Sequence, residues 1–188
     1  MILNEKTQFD VFIKGTEVDL IGLTDEMASN SNWYKWFNDE ETTQHMQKHY
    51  YPNSESLQIQ YLNDDIQGNP KRLQLGILHK ADQVFIGVIS LANIDYLNRK
   101  CEVSGLIGEK KYKGITFWVE ANRLLMAHAV NTLNIHRIYG GAISKEVAVF
   151  YERILGFKLE GVLEKHVFKN GSFRDVYLFG RIFEPPYK

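Results

Sequence analysis

The chain carries a single cysteine, Cys101, among 188 residues. An internal disulfide is therefore impossible, paired-cysteine metal sites are excluded, and a reducing compartment is the natural expectation. Proline is scarce at four residues, and 22 basic residues nearly cancel 23 acidic ones, leaving a formal net charge of −1. Nothing in that balance draws the protein to nucleic acid through a global basic field. No uninterrupted apolar run reaches the ~18 residues of a membrane span. Met1-Ile2-Leu3-Asn4-Glu5-Lys6 also lacks the basic-then-apolar order of a leader peptide. Together these absences predict a cytoplasmic protein with no membrane, nucleic-acid or metal partner.

What is present is apolar and aromatic: 44% of residues are hydrophobic and 13% aromatic. That suffices for one substantial core and is short for two, so residues 1–188 read as one domain. A half-buried strand is expected around residues 17–23, followed by short helices through the Trp33-Tyr34-Lys35-Trp36-Phe37 cluster and after Asn38-Asp39-Glu40-Glu41. Ser54 caps a helix to about Gln67. Residues 73–78, 84–91 and 101–107 then read as three strands whose short connections make them antiparallel neighbours.

The segment from Cys101 to Ala142 organises the chain. It reads as strand (101–107), basic turn (108–114), amphipathic helix (about 116–133) and strand (about 136–142), a βαβ unit with two parallel strands. Its turn aims a helix N-terminus, with unpaired N–H groups and a positive dipole end, at the sheet's carboxyl edge. Lys111, Lys113 and Gly114 in that turn, with Ile115 and Thr116 opening the helix, make a phosphate-bearing ligand the first reading. A solvated lysine loop is the plain alternative. A further helix over residues 145–155 stops at Gly156, and Asn170-Gly171 marks a terminal hairpin.

Several segments in this order resemble the GNAT acetyltransferases, and within them the branch holding ribosomal-protein N-terminal and amino-sugar acetyltransferases. They are Trp36 to Thr43, Cys101 to Gly108, Gly156-Phe157-Lys158-Leu159-Glu160-Gly161, and Asp175 to Gly180 after Lys169-Asn170-Gly171. The cofactor turn departs from the family pattern at both ends: Lys111 stands for glutamine or arginine, and Thr116 for glycine or alanine. The resemblance implies an α/β (α+β) GNAT fold: a mixed, mostly antiparallel sheet of six to seven strands with a central parallel βαβ pair and about four helices. It also implies acetyl-CoA as cosubstrate, bound by the basic turn, by backbone groups of Leu106 and Ile107 near a bulge at Ser104-Gly105, and by Ser144 where relatives carry asparagine.

Acetyl transfer requires a neutral amine, so a base is needed. Glu102, an acid inside an apolar strand, is the leading candidate, with an outward-facing strand acid as its ordinary role. His49 is the alternative base. In relatives a helix tyrosine protonates the leaving thiolate, and Tyr151 is the nearest match, although its stripe of Phe150, Ile154 and Leu155 also reads as core. Cys101 has no neighbouring histidine, and direct transfer needs no covalent nucleophile. Trp33, Trp36, Phe37, His49 and Tyr51 are the expected acceptor walls, with core packing the better reading for at least one of Trp36 and Phe37. The implied acceptor is a small-molecule primary amine, specifically an amino sugar or a nucleotide-linked amino sugar. Protein N-terminal acetylation and a non-catalytic acyl-CoA-binding module are the alternatives. The terminal hairpin offers a dimer surface without demanding one, so monomer and homodimer are both open.

Overall fold

A computed structural model describes residues 9–46 and 50–184. Strands Val11–Ile13 (β1) and Val18–Ile21 (β2) precede helices Asp25–Asn30 (α1), Trp33–Trp36 (α2), Glu40–Thr43 (α3) and Glu55–Tyr61 (α4). A π-helical turn over Leu62–Ile66 extends α4. Strands Leu73–His79 (β3), Val84–Asp95 (β4) and Lys100–Ile107 (β5) come next, then helix Ile115–Asn131 (α5) and strand Arg137–Ala142 (β6). Helix Lys145–Leu155 (α6) and the hairpin Lys158–Lys169 (β7) and Ser172–Ile182 (β8) complete the described chain. The strands form one sheet in the order β1-β2-β3-β4-β5-β6-β8-β7, antiparallel except where β5 meets β6.

This is the expected mixed, mostly antiparallel α/β sheet with one parallel βαβ pair, with eight strands and six α-helices among the described residues rather than six to seven and four. The surplus is physically small. Strand β1 has three residues and α2 and α3 four each, too short to show a period in sequence.

Strands β3 and β4 are buried on both faces, which is why they read as nearly continuous apolar runs, whereas β5 alternates between buried and more open positions. Leu75, Ile77, Ile89, Leu91 and Val103 join one core with α5 and α6, through Ala121, Leu125, Ala129, Tyr151 and Leu155. Val88, Phe85 and Leu106 join a second core with Met27, Trp33, Trp36 and Leu62 from α1, α2 and the end of α4. Local chemistry starts and stops the helices as expected. Thr24 accepts from Met27 N at 3.2 Å and Ser54 from Leu57 N at 3.2 Å, each satisfying an otherwise unpaired first-turn donor. Gly156 closes α6 in the left-handed region at φ 72°, where a Cβ would be strained. Asn170 and Gly171 take φ 50° and 76°, the signs of a type I′ hairpin turn.

Two local expectations are corrected. No bulge falls at Ser104-Gly105, since the β4–β5 register runs unbroken through Ser90–Ser104 and Ile89–Gly105; the irregularity lies between Ala92 and Asp95, where Asn93 has φ 50°. The helix expected from about 116 to 133 runs instead from Ile115 to Asn131 with Gly114 as its N-cap, so Thr116 sits inside the first turn. Among the described residues, no helix is long and apolar enough to cross a membrane.

Candidate functional site

The site arises where two parallel strands separate. Strands β5 and β6 pair only at Lys100–Arg137, Cys101–Ile138 and Glu102–Tyr139. Beyond Glu102, β5 stays with β4 as far as Ile107, and β6 stays with β8 as far as Ala142. Each strand follows its other neighbour, so the sheet opens and the edge of β5 facing β6 has no strand partner from Val103 onward. A cavity of about 890 Å³ occupies the opening.

One part of its wall is the predicted anion turn. Lys113, Gly114 and Ile115 line it, together with Leu106 and Ile107 of β5 and Ser144 of α6. No heavy atom lies within 4 Å of the place a Cβ on Gly114 would take, and its φ of 167° is ordinary extended backbone. The glycine therefore matters for the room it leaves beside the helix N-terminus. An unpaired strand edge, a cation and open first-turn N–H groups together suit the pantetheine arm and pyrophosphate of acetyl-CoA. Ser144 caps α6, its Oγ accepting from Val147 N at 3.3 Å and donating to Glu146 Oε2 at 2.7 Å.

Two members of the expected set are elsewhere. Lys111 lies outside the cavity wall, with Nζ 3.3 Å from Asp82, which also accepts from the Tyr112 hydroxyl at 2.6 Å. Thr116 is exposed and also off the wall. Lys113 is already engaged: Glu41 takes its Nζ at 2.9 Å and that of Lys110 at 2.9 Å. Those two lysines hold the Glu41 carboxyl below its usual pKa.

Glu102 and Tyr151 both line the cavity, one from β5 and the other from α6. Glu102 is half-buried, and its Oε2 accepts from Asn93 Nδ2 at 2.8 Å. Tyr151 is buried, stacked on Phe179 at 4.4 Å and edge-on to Phe157 at 5.2 Å. Its hydroxyl donates to Asn122 Oδ1 at 3.5 Å, and burial pushes the phenol pKa well above the ordinary 10.

On the acceptor side the aromatic expectations divide. Phe37 lines the cavity. Trp33 is wholly buried beside Phe85 at 6.1 Å and Trp36 nearly so, its Nε1 donating to Glu109 Oε1 at 3.1 Å. Both belong to the second core rather than to the cavity wall. Tyr51 is 88% exposed and contributes nothing to the wall. His49 lies outside the described residues. Cys101 is fully buried, and burial pushes its thiol pKa up to about 12, so it is not available as a nucleophile. Among the described residues, no cluster of three His, Cys, Asp or Glu side chains suits a metal ion.

The sequence reading missed a polar floor. Tyr61, Arg72, Gln74 and Ser90 line the cavity beside Glu102 and Ser104. Gln74, Ser90 and Ser104 are cross-strand partners on β3, β4 and β5, and the two serine hydroxyls are 2.9 Å apart. Their signal was present as polar interruptions, Leu73-Gln74-Leu75 and Ile89-Ser90-Leu91, within otherwise apolar strands.

Comparison with known proteins agrees with this geometry. A family model for the acetyltransferase (GNAT) domain matches residues 20–149. Spermidine N(1)-acetyltransferase of Escherichia coli is 31% identical over 91 residues, covering 47% of this chain and 48% of that protein. A putative ribosomal N-acetyltransferase of Bacillus subtilis, YdaF, is 29% identical over 108 residues, 57% of each. The chain thus spans about half the length of the curated relatives it matches. In fold, it resembles the Vibrio cholerae spermidine N-acetyltransferase crystallised with CoA and spermine: TM-score 0.78 and 21% identity, covering 89% of this chain and 96% of that one. The ribosomal-protein alpha-N-acetyltransferase RimL gives a TM-score of 0.79 at 16% identity, over 97% and 99%. By its matched domain, its fold and the open β5–β6 junction, this chain belongs to the GNAT acetyltransferase family.

Proposed function

We propose that this protein transfers an acetyl group from acetyl-CoA to a primary amine by direct attack. The observation that carries this reading is the separation of β5 from β6 beyond Glu102, which opens a cavity with the Gly114 turn on one wall and Glu102 on another. Acetyl-CoA supplies the activated acyl group as a thioester. Glu102 removes a proton from the acceptor ammonium, freeing the lone pair that forms the C–N bond. As the C–S bond breaks, Tyr151 gives a proton to the departing sulfur. A phenol whose pKa is raised by burial stays protonated across the neutral range, the state a donor needs. Leu106 and Ile107 offer backbone groups to the pantetheine arm, while Lys113 and the Gly114–Ile115 helix start face the phosphates.

The amino-sugar acceptor expected from the sequence finds no support among the relatives named above. Trp33 and Trp36, two of the expected acceptor walls, are in the core. Those relatives are, by their names, spermidine acetyltransferases, a putative ribosomal N-acetyltransferase and a ribosomal L7/L12 alpha-N-protein acetyltransferase. Protein N-terminal acetylation is the second reading, favoured by the ribosomal relative. The deciding experiment measures free thiol released from acetyl-CoA over a panel of amines that includes polyamines, peptide N-termini and amino sugars. Turnover with at least one is expected. CoA binding without turnover on any amine would leave a non-catalytic acyl-CoA-binding module instead.

A further inference from the structure

On the face of the sheet turned toward α4, three residue rows cross β3, β4 and β5. Gly76–Val88–Leu106 ends the second core, and Gln74–Ser90–Ser104 forms the polar floor. The next row is Arg72–Ala92–Glu102. Ala92 pairs with Glu102, and Leu73 with Leu91, so Arg72 falls opposite Ala92. The bond from Ile94 N to Lys71 O, 3.0 Å, keeps the chain beside β4 past the first residue of β3. Arg72 and Glu102 therefore stand two strands apart on one face, with roughly 10 Å between their backbones. Ala92, on the strand between them, is small, and all three line the cavity.

Arg72 is half-buried, and among the described residues no carboxylate lies within ion-pairing distance of it. Its Nη1 donates to the Tyr61 hydroxyl at 2.7 Å, and Tyr61 in turn donates to Gln74 Oε1 at 3.1 Å. That bond orients the guanidinium and uses one of its five donors. A half-buried guanidinium without a protein counter-ion, aimed into a ligand cavity, matches a carboxylate or phosphate brought by the ligand. A polyamine finds the opposite field. Beyond Glu102, the cavity carboxylates are Glu41, held by Lys110 and Lys113, and Glu146, bonded by the Ser144 hydroxyl on the α6 side.

Resting on the acetyltransferase reading above, we infer that the acceptor is an amine that also carries an anionic group, received by Arg72 while its amino group meets Glu102. The anion is a carboxylate or a phosphate several bonds from the nitrogen. The test uses the full chain, acetyl-CoA and four acceptors of one length: aminohexanoate, aminohexyl phosphate, aminohexanol and diaminohexane. The expected result is that kcat/KM for one anionic acceptor exceeds that for aminohexanol by about tenfold or more, the worth of one charge-assisted contact. Which of the two leads identifies carboxylate or phosphate. In Arg72→Gln that ratio collapses toward one, while Arg72→Lys, which keeps a point charge, retains part of it. Both variants are checked for an unchanged melting profile, and the ratio within each variant is independent of the fraction folded. Preference for diaminohexane, or an anion preference that survives in Arg72→Gln, overturns the inference and leaves the transferase reading standing. CoA binding with no turnover on any amine overturns both.

Discussion

Lys169, in the tip of the terminal hairpin, drives its ammonium into the end of α3 and donates to Thr43 O at 2.5 Å and Met46 O at 2.6 Å. Lys169 is 7% exposed, and the neighbouring Asn170 adds a bond to Glu40 Oε1 at 3.0 Å. A hairpin from the far end of the chain thus fixes the segment that carries Glu41, Thr42 and Met46 into the cavity wall.

Replacing Lys169 with Met keeps the buried stem and removes the donors. The carbonyls of Thr43 and Met46 lose their charged partner, and the expected loss of stability is about 1–3 kcal/mol. Acceptor KM rises and CoA affinity weakens with it, because Glu41 on the same segment holds Lys113 beside Gly114. Denaturant melts and separate titrations of the two substrates check this; an unaltered acceptor KM would confine Lys169 to folding.

Tyr151→Phe preserves the stack on Phe179 and deletes only the hydroxyl. As a proton donor Tyr151 is worth on the order of 10² in kcat, with CoA affinity little changed. A kcat equal to that of the parent protein would assign Tyr151 to packing alone. Glu102→Gln is expected to reduce kcat/KM and to shift its pH dependence upward, since the amine must then deprotonate in bulk water. An identical pH profile would remove Glu102 as the base.

Burial pushes the Cys101 thiol pKa up to about 12. The native protein is therefore expected to react with a thiol-directed alkylating reagent only on the timescale of unfolding, and at once in denaturant. Fast labelling of the folded protein would show β5 to be open.

His128 packs edge-on to Phe12 at 5.1 Å, and burial pushes its pKa below the ordinary 6.5. The unfolded chain then takes up this proton first. The stabilising contribution is whole above pH 6.5 and is lost as pH falls through the folded value. Unfolding free energy measured from pH 8 to pH 5 should fall less steeply for His128→Gln than for the parent, and parallel curves would exclude His128.

Much of the fold was legible because its signals are local. Asn170-Gly171 needs positive φ, Gly156 ends a helix, Ser54 and Thr24 begin them, and the strand–turn–helix–strand order from Cys101 to Ala142 forces a parallel pair. These local signals gave the order of the elements, and the resemblance to the GNAT acetyltransferases supplied the one-sheet architecture and pointed to Gly114, Glu102 and Tyr151 along it. The tertiary structure decided everything that depends on direction. Trp33, Trp36 and Phe37 have the same apolar chemistry, and only the packing against Phe85 sends the tryptophans into the core and leaves Phe37 at the cavity. Lys111 and Lys113 are two positions apart, yet a 3₁₀ turn over Lys110–Tyr112 turns one to Asp82 and the other to Glu41, partners distant in sequence. The Arg72–Ala92–Glu102 row exists only once the registers of three strands are fixed, because alignment between strands is a property of their pairing and no single strand encodes it.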